Sequence, residues 1–234
     1  MSTYLFVLCP PYCGSTLLWK LLSTSEKVSS LPQEGQFLDE LKHVTRVKQW
    51  DISHSLPWPH IKAVWETYWD MDKPILLEKS PPNLVRAPAI QEHFQPSRFV
   101  IMVRDPYAHA EGLMRRNGWK LQRAARFVLT CLRYQWRNRE QLTSALALTY
   151  EDLVTDPISA CRRVAEFMPI LNDLNPHTDF ELDSIDGTVT QPITDLNQRK
   201  IAAIEPQHLQ TMTEIFAEQA DALEAWGYSL RSTP

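Results

Sequence analysis

The feature that most constrains this chain is a junction near its start. An apolar run, Tyr4–Leu8, stops at Pro10 and Pro11, and Gly14, Ser15 and Thr16 follow. Apolar residues then recur at helical spacing through Leu17, Leu18, Leu21 and Leu22. A short apolar run bounded by prolines reads as a buried strand, and the spacing after it reads as a helix. A tight loop between the two turns the first helical amides back toward the loop, where they and the helix dipole favour an anion. Gly14 permits close backbone approach, and Ser15 and Thr16 add hydroxyl donors. The loop is not of the Walker type, because Ser15 stands where a lysine should follow the glycine and the upstream glycine is missing. ATP with magnesium is therefore not its natural ligand.

Three further segments have the same short apolar character: Pro74–Leu77, Arg98–Val103 and Ala145–Thr149. Helical patterns separate or follow them, over 14–23, 58–70, 82–94, 106–116, 119–142, 157–167 and 206–225. Strands alternating with helices predict a single α/β domain over residues 1–234, with a central, mainly parallel sheet covered by helices on both faces. Ligands of such sheets bind beyond the carboxyl ends of the strands. Three of the predicted strands end in reactive residues: the 10–16 loop, Glu78-Lys79-Ser80, and Arg104-Asp105-Pro106.

Charge narrows the ligand class. Residues 104–139 hold nine Lys and Arg against two Asp and Glu, whereas residues 140–234 hold five against sixteen. A local basic field in a chain of net charge −4 fits a small polyanion. It does not fit nucleic acid, which calls for a basic domain with interleaved aromatics. Cys9, Cys13, Cys131 and Cys161 have no metal-ligand spacing and are expected to be free thiols, and no metal is expected. The chain has no apolar stretch of the ~20 residues a spanning helix needs. The N-terminus lacks the basic start of a signal peptide, so a cytoplasmic location is expected. Trp50, Trp58, Trp65, Tyr68 and Trp69 crowd one region, as core or as the wall of a second binding site.

Two more segments complete the pattern. In LLEKSPPNL, 76–84, strand alternation turns one of Glu78 and Lys79 toward the site and the other away. In RFVIMVRDPYAHAEGLMRR, 98–116, Arg104 leaves a strand at the site, and Arg115 and Arg116 follow on a helix, where two guanidinium forks can clamp a phosphate.

In this order the segments resemble the sulfotransferase superfamily, whose donor is 3′-phosphoadenosine 5′-phosphosulfate (PAPS) and whose nucleotide product is adenosine 3′,5′-bisphosphate (PAP). PPYCGSTLL is similar to the family's 5′-phosphosulfate loop, commonly Pro-Lys/Arg-Ser-Gly-Thr-Thr. Residues 76–106 resemble the Glu-Lys-Thr-Pro to Arg-Asp-Pro stretch of carbohydrate and tyrosylprotein sulfotransferases. LTYEDLVTDP, 148–157, is similar to a Tyr-Glu-Asp-Leu segment common in the superfamily. LPQEGQFLDEL, 31–41, resembles the segment that supplies the glutamate base of heparan sulfate and tyrosylprotein enzymes.

The resemblance implies a P-loop-like three-layer fold and metal-free, in-line sulfuryl transfer to a hydroxyl of an unidentified small-molecule or carbohydrate acceptor. Tyr12, Cys13, Gly14, Ser15, Thr16 and Leu17 would form the 5′-phosphosulfate loop. Arg104 would bind the 3′-phosphate, with Arg116 at the spacing of the family's second arginine. Lys79 would sit by the bridging oxygen, Glu34 would be the base, and Tyr150 would lie against the nucleotide. The 186–200 segment occupies the place of the loop that closes on the 3′-phosphate, with Arg199 or Lys200 at the phosphate. Two positions depart from the family: Tyr12 replaces the loop Lys or Arg, and Gly112 replaces a serine eight residues after the family arginine. Those departures keep a non-catalytic PAPS or PAP binder open as an alternative, and a small-molecule kinase stands behind it.

Overall fold

The computed structural model describes residues 2–184 and 187–232. Its elements in chain order are β1 (Thr3–Leu8), α1 (Ser15–Leu22), β2 (Val28–Ser30), α2 (Lys42–Thr45), α3 (Trp58–Tyr68), β3 (Ile75–Glu78), α4 (Ala87–His93), β4 (Ser97–Val103), α5 (Pro106–Asn117) and α6 (Leu121–Gln141). The chain continues through β5 (Ala145–Thr149), α7 (Tyr150–Thr155), α8 (Pro157–Phe167), β6 (Phe180–Ser184), β7 (Gly187–Gln191), α9 (Asn197–Ala202), α10 (Pro206–Ala217) and α11 (Ala220–Glu224).

Five strands form a parallel sheet in the order β2-β3-β1-β4-β5, and β6 and β7 form a separate antiparallel pair. Alternation along β1 explains the two covered faces. Tyr4, Phe6 and Leu8 pack into one core with α3, α4, α5, α6 and α10, whereas Leu5, Val7 and Cys9 pack into another with α1 and α8. A strand buried on both faces reads as a continuous apolar run, as β1 does from Tyr4 to Leu8. The expected three-layer α/β fold is the observed one.

The boundaries differ in instructive ways. The 82–94 pattern is a 3₁₀ turn over Pro81–Val85 followed by α4, because Pro88 fits a helix only in its first turn. The 206–225 pattern is two helices with a break at Glu218 and Gln219. Strand β2 has one apolar residue in three, too little pattern to read. Helix α7 was not among the expected helices; Thr149 and Asp152 start it with a reciprocal capping box.

The topology fixes the site. Chain order reverses across β1, which lies between β3 and β4, and the carboxyl end of such a strand opens into a crevice. Parallel register pairs Phe6 with both Glu78 and Phe99, and Val103 with Thr149. The residues just beyond these pairs, the 9–14 loop, Lys79, Arg104 and Tyr150, therefore leave the sheet on one edge.

Candidate active site

The 9–14 loop reaches α1 through two residues in the left-handed region, Tyr12 at φ 63° and Gly14 at φ 92°. For Tyr12 that conformation costs about 1–2 kcal/mol, strain of the kind that clusters at ligand-binding turns. Glycine is required at 14 for a second reason: an added Cβ would lie 2.6 Å from the Tyr150 ring. The first helical bond runs from the Leu18 amide to the Gly14 carbonyl. The amides of Ser15, Thr16 and Leu17 precede it and lack an intrahelical acceptor. No acidic residue occupies this first turn, so the helix end keeps its positive field.

Arg104 lies against the loop. It is only 4% exposed, its guanidinium carbon lies 3.8 Å from the Tyr150 ring centroid, and its Nη1 donates to the Tyr12 carbonyl at 3.2 Å. Its Nε donates to Asn197 Oδ1 at 2.7 Å, and Asn197 in turn donates to Glu151. The Glu151 carboxylate also accepts from the Asp105 amide at 3.0 Å and from the Tyr228 hydroxyl at 2.7 Å. Among the described residues, Arg104 Nη2 is buried without a hydrogen-bond partner. An unmatched buried donor costs about 1–3 kcal/mol, which an incoming anion would return. The Tyr150 hydroxyl donates to the Thr194 carbonyl and accepts from the Leu196 amide, tying this wall to the segment before α9.

Lys200, on α9, closes the same end. Its Nζ lies 3.5 Å from Glu111 Oε2 and 2.7 Å from where a Cβ on residue 112 would stand. Gly112 is thus the space that admits the Lys200 ammonium. Burial is the main cause that pushes Lys200 down to about 8, and the positive charge of Arg104 adds to it.

On the other side of Thr16, Lys79 Nζ and Glu34 Oε1 are 2.5 Å apart. Glu34 Oε2 accepts from the Gln36 side chain, and Gln36 accepts from Gln49 Nε2 at 2.6 Å. Strand alternation resolves the Glu78-Lys79 pair as expected. Lys79 turns to Glu34, while Glu78, 1% exposed, accepts from the Gly35 amide at 3.0 Å, Ser80 Oγ at 2.5 Å and Asn83 Nδ2 at 2.5 Å. Burial pushes Glu78 up to about 7, against its hydrogen bonds. The segment carrying Glu34 is therefore pinned from below by a carboxylate. It is also backed by Trp65, whose indole lies within 2.7 Å of the position a Gly35 Cβ would take.

These groups open into one cleft of about 530 Å³, whose walls include Tyr12, Gly14–Leu17, Glu34, Arg104, Arg116, Tyr150 and Lys200. Lys79 lines an adjoining hollow that shares Thr16, Glu34 and Phe37 with the cleft. Three expected residues are placed elsewhere. Cys13 is fully buried and its amide donates to the Pro10 carbonyl, because the turn folds it under the loop. Arg199 is exposed on the face of α9 away from Lys200 and is not part of the cleft wall. Gly112 lines no part of the cleft and acts by admitting Lys200. Asp186, in the 186–200 segment, lies outside the described residues. The four cysteines are free thiols.

A sequence profile of the Sulfotransferase family matches residues 5–170. The chain belongs to the sulfotransferase family. No curated protein matches it. Among solved structures it is similar to the sulfotransferase domain of the Synechococcus PCC 7002 olefin synthase, at 20% identity and TM-score 0.54, covering 98% of this chain and 96% of that one. A sulfotransferase from Alicyclobacillus acidocaldarius is similar at 14% identity and TM-score 0.59, covering 95% and 94%. Mouse sulfotransferase SULT7A1, complexed with PAP, is similar at 11% identity and TM-score 0.55, covering 97% and 89%. At these identities the likeness is one of fold.

For a sulfotransferase, the Tyr12 departure has a local consequence. The Tyr12 hydroxyl is committed to Asn117 Oδ1 at 2.5 Å, and the Arg116 guanidinium lies 5.2 Å from the centre of its ring. Cationic charge reaches the loop from α5 rather than from the loop itself. The aromatic crowd divides: Trp58, Trp65 and Trp69 are core, Tyr68 is exposed, and Trp50 is half-buried in the cleft wall. Gln49 and Asn197 carry no sequence signal, and Gln36 and Glu151 lie in matched segments without an assigned role, because each acts through a partner brought near by folding.

Proposed function

We propose that this chain transfers the sulfuryl group of PAPS to a hydroxyl of an acceptor. The carrying observation is that an unmatched buried Arg104 donor beside open α1 amides shares one cleft with Glu34, whose ammonium partner Lys79 lines the hollow adjoining it. Two features fit the nucleotide: the unpartnered Arg104 Nη2 would take a phosphate oxygen, and the Ser15, Thr16 and Leu17 amides, which precede the first helical bond, would take the 5′ anion. The PAP in the mouse neighbour agrees with that choice. When bound, PAPS supplies an activated sulfuryl group and a phosphate leaving group.

The residues divide the work. Ser15, Thr16 and Leu17 amides hold the 5′ end, and Arg104 with Lys200 holds the 3′-phosphate against Tyr150. Glu34 takes the proton that the acceptor hydroxyl sheds, held in place by Gln36. Lys79, paired with Glu34 across 2.5 Å, would supply the ammonium that offsets charge on the leaving phosphate oxygen.

A thermal-shift comparison tests the nucleotide: PAP should stabilise the protein strongly, and ADP with magnesium weakly. A preference for ADP would remove the reading. Transfer from labelled PAPS to a panel of hydroxyl acceptors tests turnover. Binding without transfer would favour a nucleotide-binding protein, which the commitment of the Tyr12 hydroxyl to Asn117 makes the second reading.

A further inference from the structure

The acceptor end of the cleft is built for charge. Its wall includes Glu34, Gln36, Phe37, Arg46, Gln49 and Trp50, of which Glu34 alone is acidic and is neutralised by Lys79. Arg46, just past α2, lies with its guanidinium 5.1 Å from the centre of the Phe37 ring. Among the described residues it forms no ion pair with a carboxylate. Phe37 also borders the hollow that holds Lys79, so the Arg46 guanidinium rests on the ring that bounds the reaction centre.

Two segments frame the opening and join as one surface. Trp50 packs edge-on against Phe127 at 4.8 Å, and Phe127 against Trp119 at 5.1 Å. Arg123 covers the Trp119 ring at 4.1 Å. Residues 44–51 carry Arg46 and Lys48 against Asp51, and residues 111–123 carry Arg115, Arg116, Lys120 and Arg123 against Glu111, which pairs with Arg115 at 2.5 Å, so basic charge is in excess on both segments. In a chain with more acids than bases, this is a concentrated positive rim. Such a rim draws in anions and repels cations before contact. A guanidinium seated on a ring beside two amides presents a planar fork to a carboxylate or phosphate.

We propose that the acceptor is an anionic hydroxyl compound, bearing a carboxylate or phosphate besides the hydroxyl, and that Arg46 receives its acidic group. This rests on the sulfuryl-transfer reading. The hydroxyl then points at Glu34, the body of the molecule lies along Phe37 and Trp50, and the acid sits on Arg46. A neutral alcohol leaves the guanidinium without a partner and gains nothing from the rim.

Calorimetry on the full chain saturated with PAP tests the proposal with matched pairs: 4-hydroxyphenylacetate against 4-methylphenol, 6-hydroxyhexanoate against 1-hexanol, and glycerol phosphate against glycerol. At least one anionic member should bind tenfold or more tightly than its neutral partner, and the pair that responds separates carboxylate from phosphate. In Arg46→Met the preference should shrink to less than twofold, and Arg46→Lys should restore part of it. PAP stabilisation should be the same in all three proteins, which reports that the nucleotide end is intact. Equal binding of paired compounds, binding of none, or a preference that survives Arg46→Met would overturn the proposal. Failure of PAP to bind wild type would instead remove the sulfuryl-transfer reading beneath it.

Discussion

The two ends of the cleft meet at Thr16 but are built in opposite ways. At the proposed nucleotide end, Arg104, Tyr150, Asn197 and Lys200 are all buried, and hydrogen bonds link the end of β4, α7 and α9. At the proposed acceptor end, Arg46 is exposed, Gln49 and Trp50 are half-buried, and the short α2 supplies little regular structure. Preorganised donors lower the cost of binding one fixed ligand. An open wall of side chains on irregular backbone is where acceptor choice can vary without disturbing that ligand. Glu34 and Lys79 stand at the boundary, where Glu34 is only partly covered while Lys79 is 5% exposed.

This contrast predicts that mutations at the two ends separate nucleotide affinity from turnover. The largest effect should come at the boundary. Glu34→Gln should lower transfer by about 10²–10⁴, the contribution typical of general base catalysis, while PAP affinity changes little. Wild-type turnover in that variant would remove Glu34 as the base. Arg104→Ala should weaken PAP by roughly 2–5 kcal/mol, as for truncation of a buried charged partner, and titration calorimetry reads this directly. A loss confined to turnover would mean that Arg104 does not hold the nucleotide.

A smaller effect should appear in the pH dependence of the nucleotide end. Lys200 is held down to about 8, and a bound phosphate favours its charged form. PAP affinity should therefore be flat below pH 8 and fall above it, by up to about tenfold per unit. Lys200→Met should bind more weakly and lose that break. A break at the same pH in the variant would assign it to another group.

The smallest effect concerns the floor of the base segment. Glu78 is raised to about 7 from an ordinary 4.5, so the folded state binds more protons than the unfolded state between those values. Its contribution to stability is full below pH 4.5 and is lost as pH rises toward 7. Glu78→Gln should flatten that part of the profile of Tm against pH, while weakening the hold on Gly35. An unaltered profile would show that another buried group sets the slope.

Much of this was legible in the chain. Periodicity found four of the five sheet strands, and composition at their ends found the loop, Lys79 and Arg104. The resemblance of residues 31–41 to a family segment is what put Glu34 forward as the proposed base. The antiparallel pair β6 and β7 was not found, because only five residues of each strand pair and four of the five in Gly187–Gln191 are exposed, with Val189 the one apolar residue there. The local sequence around Lys200 could not separate it from Arg199. One faces Gly112 and the other faces solvent, and only the docking of α9 on α5 decides which.

By itself the sequence determined the alternation of strand and helix, and with it a parallel sheet whose carboxyl ends carry the chemistry. That follows because hydrophobic period and proline and glycine placement act over a few residues. Tertiary structure alone decided that the Gly112 gap is filled by a lysine from 88 residues further along, that Arg104 keeps an unpartnered nitrogen, and that Gln36 steadies Glu34. Those are distances between side chains on different elements, and they exist only once burial of the two cores has set the elements against one another.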